Sequence, residues 1–177
     1  MTSAGRVHAG ARDARASALS VWIFDGADEA AATARRLASD ASPTGVDVDD
    51  AALVSWEIDA PRPRIRRFAE LASEDALGEE FWALVLGLTF RVPLLGAAVG
   101  GVAGAAAGSL ALAGINEGFM NRLRDELTPG RSALLLLGRE ADASTALGMS
   151  TGAERPQMVV ADLSRPQIGA LREVFLP

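Results

Sequence analysis

A stretch of 36 residues, from Phe81 to Asn116, carries a single charge, Arg91. Inside it four glycines recur every four residues and form the segment named here the glycine zipper: Gly96, Gly100, Gly104 and Gly108. Residues four apart lie on one face of a helix. Each helical glycine costs roughly 1 kcal/mol relative to alanine, and close approach by a neighbouring helix is the usual offset. The sequence therefore predicts a helix that packs tightly against another helix.

Composition narrows the function classes. The chain has 177 residues, which suits one domain, and a net charge of −6, which argues against a general nucleic-acid-binding surface. It has no cysteine and one histidine, so thiol chemistry, disulfides and a histidine-based metal site are not expected. We expect residues 1–17 to form a disordered tail and residues 18–177 to form the domain. The apolar run at 18–24 is too short for a signal peptide, which predicts a cytoplasmic protein, with membrane association as the alternative.

Local patterns predict an α+β fold. Short apolar or alternating runs bounded by turn residues indicate five strands, at residues 19–24, 52–58, 64–68, 132–137 and 158–161. Helical patterns fall at 31–38 and 116–127, and a final short helix follows the fifth strand. The order matches the βαββαβ pattern of a ferredoxin-like sheet with a C-terminal strand-helix extension. The uninterrupted apolar run at 132–137 is expected at the centre of the sheet.

The charge-poor stretch is interpreted as a helical hairpin inserted at about residues 74–114. Its first arm covers 73–91, Pro93 breaks the helix, and the second arm covers 94–114. Ala83 and Gly87 give the first arm a small-residue face that could seat the glycine zipper. The remaining apolar side chains would be bare on a monomer and would mark an interaction site: Leu84, Val85, Leu88, Val99, Val102, Leu110 and Leu112.

Three environments could bury this hairpin: another copy of the chain, a membrane, or the rest of the same chain. A membrane span needs about 20 apolar residues. The second arm is long enough but consists mostly of alanine and glycine, and the first arm is free of charge only at 81–90. The sequence therefore favours burial between copies of the chain and leaves membrane insertion or surface docking as the main alternative. Under the membrane alternative Trp82 would be an interface anchor, whereas otherwise it is a packing aromatic.

Other polar clusters give weaker signals. Four arginines at 62, 64, 66 and 67 are expected to line a solvated sheet edge, or to attract anionic lipid if the hairpin meets a membrane. Asp47, Asp49 and Asp50 are expected to form an acidic loop, because no calcium-loop glycine and glutamate follow them. No nucleophile, phosphate-binding or metal-binding motif is present, so we expect no enzyme, cofactor or metal.

Three segments carry a resemblance to a known family. They are Phe81-Trp82 followed by residues 84–90, residues 93–100 leading into the glycine zipper, and residues 126–134 (ELTPGRSAL). The chain resembles an uncharacterised bacterial family of domains of unknown function whose members are often labelled glycine-zipper or membrane proteins. The resemblance implies a ferredoxin-like fold with a zipper hairpin and no known catalytic residue. This chain departs from it in its long N-terminal tail and in Arg91.

Taken together, the sequence predicts a non-enzymatic structural or interaction protein. It would self-associate into a homo-oligomer through the glycine-zipper hairpin, and its alternative role is membrane association through the same hairpin. The expected partner is a second copy of the chain, or lipid under the alternative. Neither nucleic acid nor a small-molecule substrate is expected.

Overall fold

The structure, a computed structural model, describes residues 17–39, 48–73, 76–91, 108–139, 157–163, 166, 169–171 and 173. Several predictions lie outside the described residues. They concern the tail before residue 17, the hairpin tip at Pro93, and five residues of the expected interface: Gly96, Val99, Gly100, Val102 and Gly104.

Five strands form one antiparallel sheet. They are β1 (Ser17–Phe24), β2 (Val48–Ser55), β3 (Arg64–Arg67), β4 (Ser132–Arg139) and β5 (Gln157–Leu163). Their order is β3-β2-β4-β1-β5, and every neighbouring pair runs antiparallel. The predicted α+β class and the presence of five strands are confirmed, but the second strand covers Val48–Ser55 rather than the predicted 52–58. β4 is the third of the five strands, so the prediction of a central apolar strand is also confirmed.

The strand order differs from the predicted ferredoxin-like one. A ferredoxin-like sheet places its third strand between the first and the second, whereas here β4 lies between β1 and β2. Burial explains why β4 takes the central position. Residues 133–138 of β4 are all buried and suit a position with neighbours on every side. β3 has four residues, three of them arginine, and charged side chains favour the edge of a sheet.

Helix α1 (Glu29–Ser39) covers one face of the sheet. Its Ala30 and Ala34 are fully buried, and small side chains let the helix approach the strands closely. The core on this face also contains the large side chains Trp22, Phe24, Leu53, Phe68, Leu134 and Leu136.

Two helices and a short helical segment cover the opposite face. They are α2 (Glu79–Phe90), residues 108–112, and α3 (Glu117–Glu126). The Oδ1 atom of Asn116 accepts the backbone N–H of Phe119 and so caps α3. The core here is the larger one, with Phe81, Trp82, Val85, Leu86, Leu110, Ile115, Phe119, Leu123 and Leu127 packed on β1, β2, β4 and β5.

Two sequence predictions near α2 are wrong. The helix begins at Glu79 rather than near Ser73, because Gly78 takes a left-handed conformation, φ 90°, and donates its N–H to the Oδ2 atom of Asp50. Asp49 and Asp50 belong to β2 rather than to an acidic loop, and Asp50 is fully buried. A register irregularity between Val48 and Asp50 accompanies this buried carboxylate.

Candidate interaction surface

Helix α2 turns its large apolar side chains inward. Phe81, Trp82, Val85, Leu86 and Thr89 are buried, and the Thr89 hydroxyl donates to the Val85 carbonyl oxygen at 2.7 Å. The predicted first arm of the hairpin is thus built into the core of the domain. Only the opposite face of α2 remains for contact with a partner.

The outward face of α2 is a narrow apolar surface with a charge at each end. It consists of Glu80, Ala83, Leu84, Gly87, Leu88 and Arg91, and we call it the α2 stripe. Members three, four or seven residues apart fall on the same side of a helix. Leu88 exposes 42% of its surface, Ala83, Leu84 and Gly87 are half-buried, and both charged residues are exposed. The stripe therefore offers aliphatic contact between a negative and a positive end.

Arg91 ends α2 in an unusual conformation. Its φ of 54° and ψ of 37° are left-handed, and its backbone N–H donates to the Gly87 carbonyl oxygen. This is the cap that glycine usually provides, and a side chain there costs roughly 1 kcal/mol. No ion pair in the described part of the chain involves Arg91 or Glu80.

At the end of the second predicted arm some residues lie in the core and others on the surface. Leu110 and Ala113 are buried, whereas Gly108 and Ala111 are exposed and Leu112 exposes 82% of its surface. A Cβ added to Gly108 would meet no atom within 4 Å. The last glycine of the zipper therefore borders open space in this structure.

The structure places some expected interface residues on the surface and others in the core. Leu88 and Leu112 are exposed, as expected, and Leu84 is half-buried against the core. Val85 and Leu110 were expected to face outward, and this is wrong because both are fully buried. Charge-poor helices carry no polar residue to mark the outer face, so the sequence pattern could not separate the two sides.

Trp82 is a packing aromatic. It is 1% exposed, and its ring centroid lies 4.9 Å from that of Phe81 in an edge-to-face contact. Among the described residues its indole Nε1 has no hydrogen-bond partner. The alternative role as an anchor at a membrane interface does not fit this burial.

The arginine cluster lines an edge of the sheet, as predicted. Arg62, Arg64 and Arg66 are exposed, and the Arg66 guanidinium lies 6.0 Å from the ring centroid of Phe68. Arg67 instead pairs with Asp50 at 3.1 Å. Local sequence patterns do not indicate this pair, because the two residues are 17 positions apart.

The ELTPGRSAL segment is a junction between elements. The Arg131 guanidinium donates to the Glu126 carbonyl oxygen at 2.8 Å and to the Asp25 carboxylate at 3.0 Å. The Ser132 hydroxyl donates to the Gly26 carbonyl oxygen at 2.5 Å and accepts the N–H of Ala30 at 3.0 Å. These contacts join the end of α3, the start of β4 and the start of α1, so the segment serves the fold.

Within the described ranges no group of three or more His, Cys, Asp or Glu side chains could hold a metal ion. Within the same ranges no helix is both long enough and apolar enough to cross a membrane. The α2 stripe and the exposed side chains near Gly108 form the candidate functional surface, because Leu88 and Leu112 are exposed there.

Comparison with known proteins gives one match. A family model described as "Protein of unknown function (DUF1269)" matches residues 76–176, more than half of the chain. The match begins just before α2 and ends beyond β5, so it includes the whole candidate surface. No curated protein and no solved structure matches the chain.

Proposed function

Because this chain belongs to the DUF1269 family of proteins of unknown function, we propose its function from its own geometry: it is a non-enzymatic interaction protein that self-associates through the outward side of its glycine-zipper hairpin. The expected resemblance to a family of domains of unknown function is confirmed by this match. The inserted zipper hairpin and the homo-oligomer belong to the proposal, whereas the strand order differs from the ferredoxin-like one.

The observation that carries the proposal is the exposure of leucine on one side of the molecule. Leu88 on α2 and Leu112 in the 108–112 segment are exposed by 42% and 82%, and both helices cover the same face of the sheet. Full burial of a leucine side chain contributes roughly 1.5–3 kcal/mol. Contact between two copies would remove both leucine side chains of each copy from water.

Gly108 supports the same conclusion. Glycine in a helix is offset when another backbone approaches closely. A Cβ on Gly108 would meet nothing within 4 Å, so none of the residues that the structure describes supplies that approach at this position. A second copy would supply it, and the same argument extends to Gly96, Gly100 and Gly104 by their spacing.

The test is the molar mass of the full chain in detergent-free buffer, measured by size-exclusion chromatography with light scattering. We expect an oligomer for the natural sequence. Leu88→Glu and Leu112→Glu, singly and together, should shift the mass towards that of the monomer. Met158→Glu is the matched control, because Met158 is 44% exposed on β5 and pairs with Trp22, whose side chain packs on the face of the sheet that α1 covers.

Two results would contradict the proposal. One is a monomeric natural protein at high micromolar concentration. The other is an oligomer that survives both the leucine variants and Gly100→Leu with Gly104→Leu.

Lipid is the alternative partner for the same surface. The exposed Leu112 lies on the charge-poor stretch, and such a surface could also enter the apolar part of a bilayer. Co-sedimentation with vesicles of mixed neutral and anionic lipid separates the two partners. Binding to vesicles that Leu112→Glu abolishes, combined with a monomeric mass without lipid, would favour membrane association.

A further inference from the structure

We propose that two copies of this chain dock their α2 helices side by side in antiparallel orientation about a two-fold axis, with the α2 stripe as a self-complementary surface. This inference rests on the proposed self-association and specifies its geometry. It commits to a second copy as the occupant of the stripe, and it follows from the order of charges and side-chain sizes along α2.

The charges at the two ends of the stripe are opposite. Glu80 lies in the first turn of α2 and Arg91 follows its last residue, so they are about 16 Å apart at 1.5 Å per residue. Both are exposed, and neither forms an ion pair in the described part of the chain. Each is therefore available to a partner.

A two-fold axis brings these ends together. In an antiparallel pair centred midway between residues 85 and 86, two positions that face each other have residue numbers that add up to 171. Glu80 of one copy then faces Arg91 of the second copy, and the symmetry repeats the pair. A parallel pair would instead place glutamate against glutamate and arginine against arginine, which is unfavourable.

The apolar positions between the charges also match in size. The same register sets each leucine of the stripe against a small residue: Leu84 faces Gly87 of the second copy, and Leu88 faces Ala83 of the second copy. Large side chains that enter spaces above small residues allow two helices to approach closely. Charge order and size order thus select the same register without any adjustment.

The experiment exchanges the charges at the ends of the stripe. Glu80→Arg alone and Arg91→Glu alone each turn two attractive pairs into two repulsive ones, and each should raise the dimer dissociation constant roughly tenfold at low salt. The double variant Glu80→Arg with Arg91→Glu restores opposite charges and should bring the dissociation constant back to within about threefold of the natural value. Sedimentation equilibrium at low salt measures all three.

Matched controls change the same charge elsewhere on the surface. Asp28→Arg lies in the turn before α1 and Arg35→Glu lies on α1, which covers the other face of the sheet. Both are exposed, and neither should alter the dissociation constant beyond the small effect of net charge.

The outcomes separate this inference from the proposal on which it depends. A natural protein that is monomeric contradicts self-association itself. A natural oligomer that is insensitive to both single charge variants overturns the antiparallel α2 contact and leaves the leucine surface as the interface. Weakened single variants without recovery in the double variant also overturn it.

Discussion

Arg67 donates from Nε to the Oδ1 atom of Asp50 at 3.1 Å, and the Asp50 side chain is fully buried while Arg67 keeps 23% of its side-chain surface exposed. Two backbone groups complete the site, since the N–H of Ala51 donates to Oδ1 at 2.9 Å and that of Gly78 donates to Oδ2 at 3.1 Å. The carboxylate therefore joins the edge of the sheet to the residue that precedes α2. A buried charge is tolerated when its oxygens are paired in this way.

Replacing Asp50 with alanine should destabilise the fold. The change leaves the Arg67 guanidinium without its carboxylate and the Gly78 N–H without its acceptor, and we expect a loss of about 3 kcal/mol in the free energy of unfolding. Urea denaturation followed by circular dichroism measures it. Asp59→Ala is the control, because Asp59 is exposed in a turn. A loss below about 1 kcal/mol would contradict the role given to this carboxylate.

Gly114 should not tolerate a side chain. Its φ is 102°, and a Cβ there would lie 2.9 Å from the carbonyl oxygen of Asp162 in β5. Since that neighbour is backbone, Gly114→Ala should lower the free energy of unfolding by about 2 kcal/mol or more. Gly169→Ala is the matched control, because its helical position has open space and alanine favours a helix there by up to about 1 kcal/mol. Equal effects of the two substitutions would refute the prediction.

Ser132→Ala should destabilise α1 from outside that helix. The hydroxyl of this β4 residue accepts the Ala30 N–H and donates to the Gly26 carbonyl oxygen, so its removal leaves one buried and one partly buried backbone group without this partner. We expect the free energy of unfolding, measured by thermal denaturation, to fall by about 1–3 kcal/mol. The exposed hydroxyl of Ser39, which donates to the Arg36 carbonyl oxygen, gives a control variant, Ser39→Ala, with an expected loss below about 0.5 kcal/mol.

Arg91→Gly should act in opposite directions on stability and on association. Glycine adopts the left-handed conformation without a Cβ clash, so the free energy of unfolding of the dilute protein should rise by up to about 1 kcal/mol. The lost positive charge should weaken self-association in the same variant. Arg91→Lys keeps both the charge and the backbone strain, and it should resemble the natural protein in both measurements. If the free energy of unfolding and the strength of self-association both rose or both fell in Arg91→Gly, the two effects would share one cause, contrary to this prediction.

Much of the fold was predictable because it depends on short-range patterns. Residues 132–137 are six consecutive positions with five apolar side chains, and such a run has few places to lie except the centre of a sheet. Asn116 ahead of an amphipathic stretch marks the start of α3 in the same local way. Each of these elements is defined by its own residues.

The wrong predictions concern contacts between distant residues. Nothing near Asp50 shows that Arg67 and Gly78 will complete its hydrogen bonds, so a run of aspartates was interpreted as a loop. The late start of α2 follows from the same contact. The position of β4 between β1 and β2 reflects a competition between β3 and β4 for one place, and local patterns do not decide such a competition.

The candidate surface was only partly predictable for a related reason. Leu84 and Leu88 are chemically like Val85 and Leu86, and a helix with apolar residues on all sides gives no indication of which side faces the core. The sequence could identify the stretch as a contact element. It could not show that one side of the first arm packs against the sheet of the same chain, so that only the α2 stripe faces outward.

The central place of β4 has a consequence during synthesis. The hydroxyl of Ser20 in β1 donates to the carbonyl oxygen of Leu136 in β4, and 116 residues separate them. A ribosome that adds about 5–20 residues per second needs about 6–23 s to make the intervening chain. During that interval β1 has emerged but its pairing edge with β4 cannot form, and chains with such distant pairings fold slowly. A newborn molecule must therefore keep an apolar strand from mispairing until the ELTPGRSAL junction and β4 leave the ribosome.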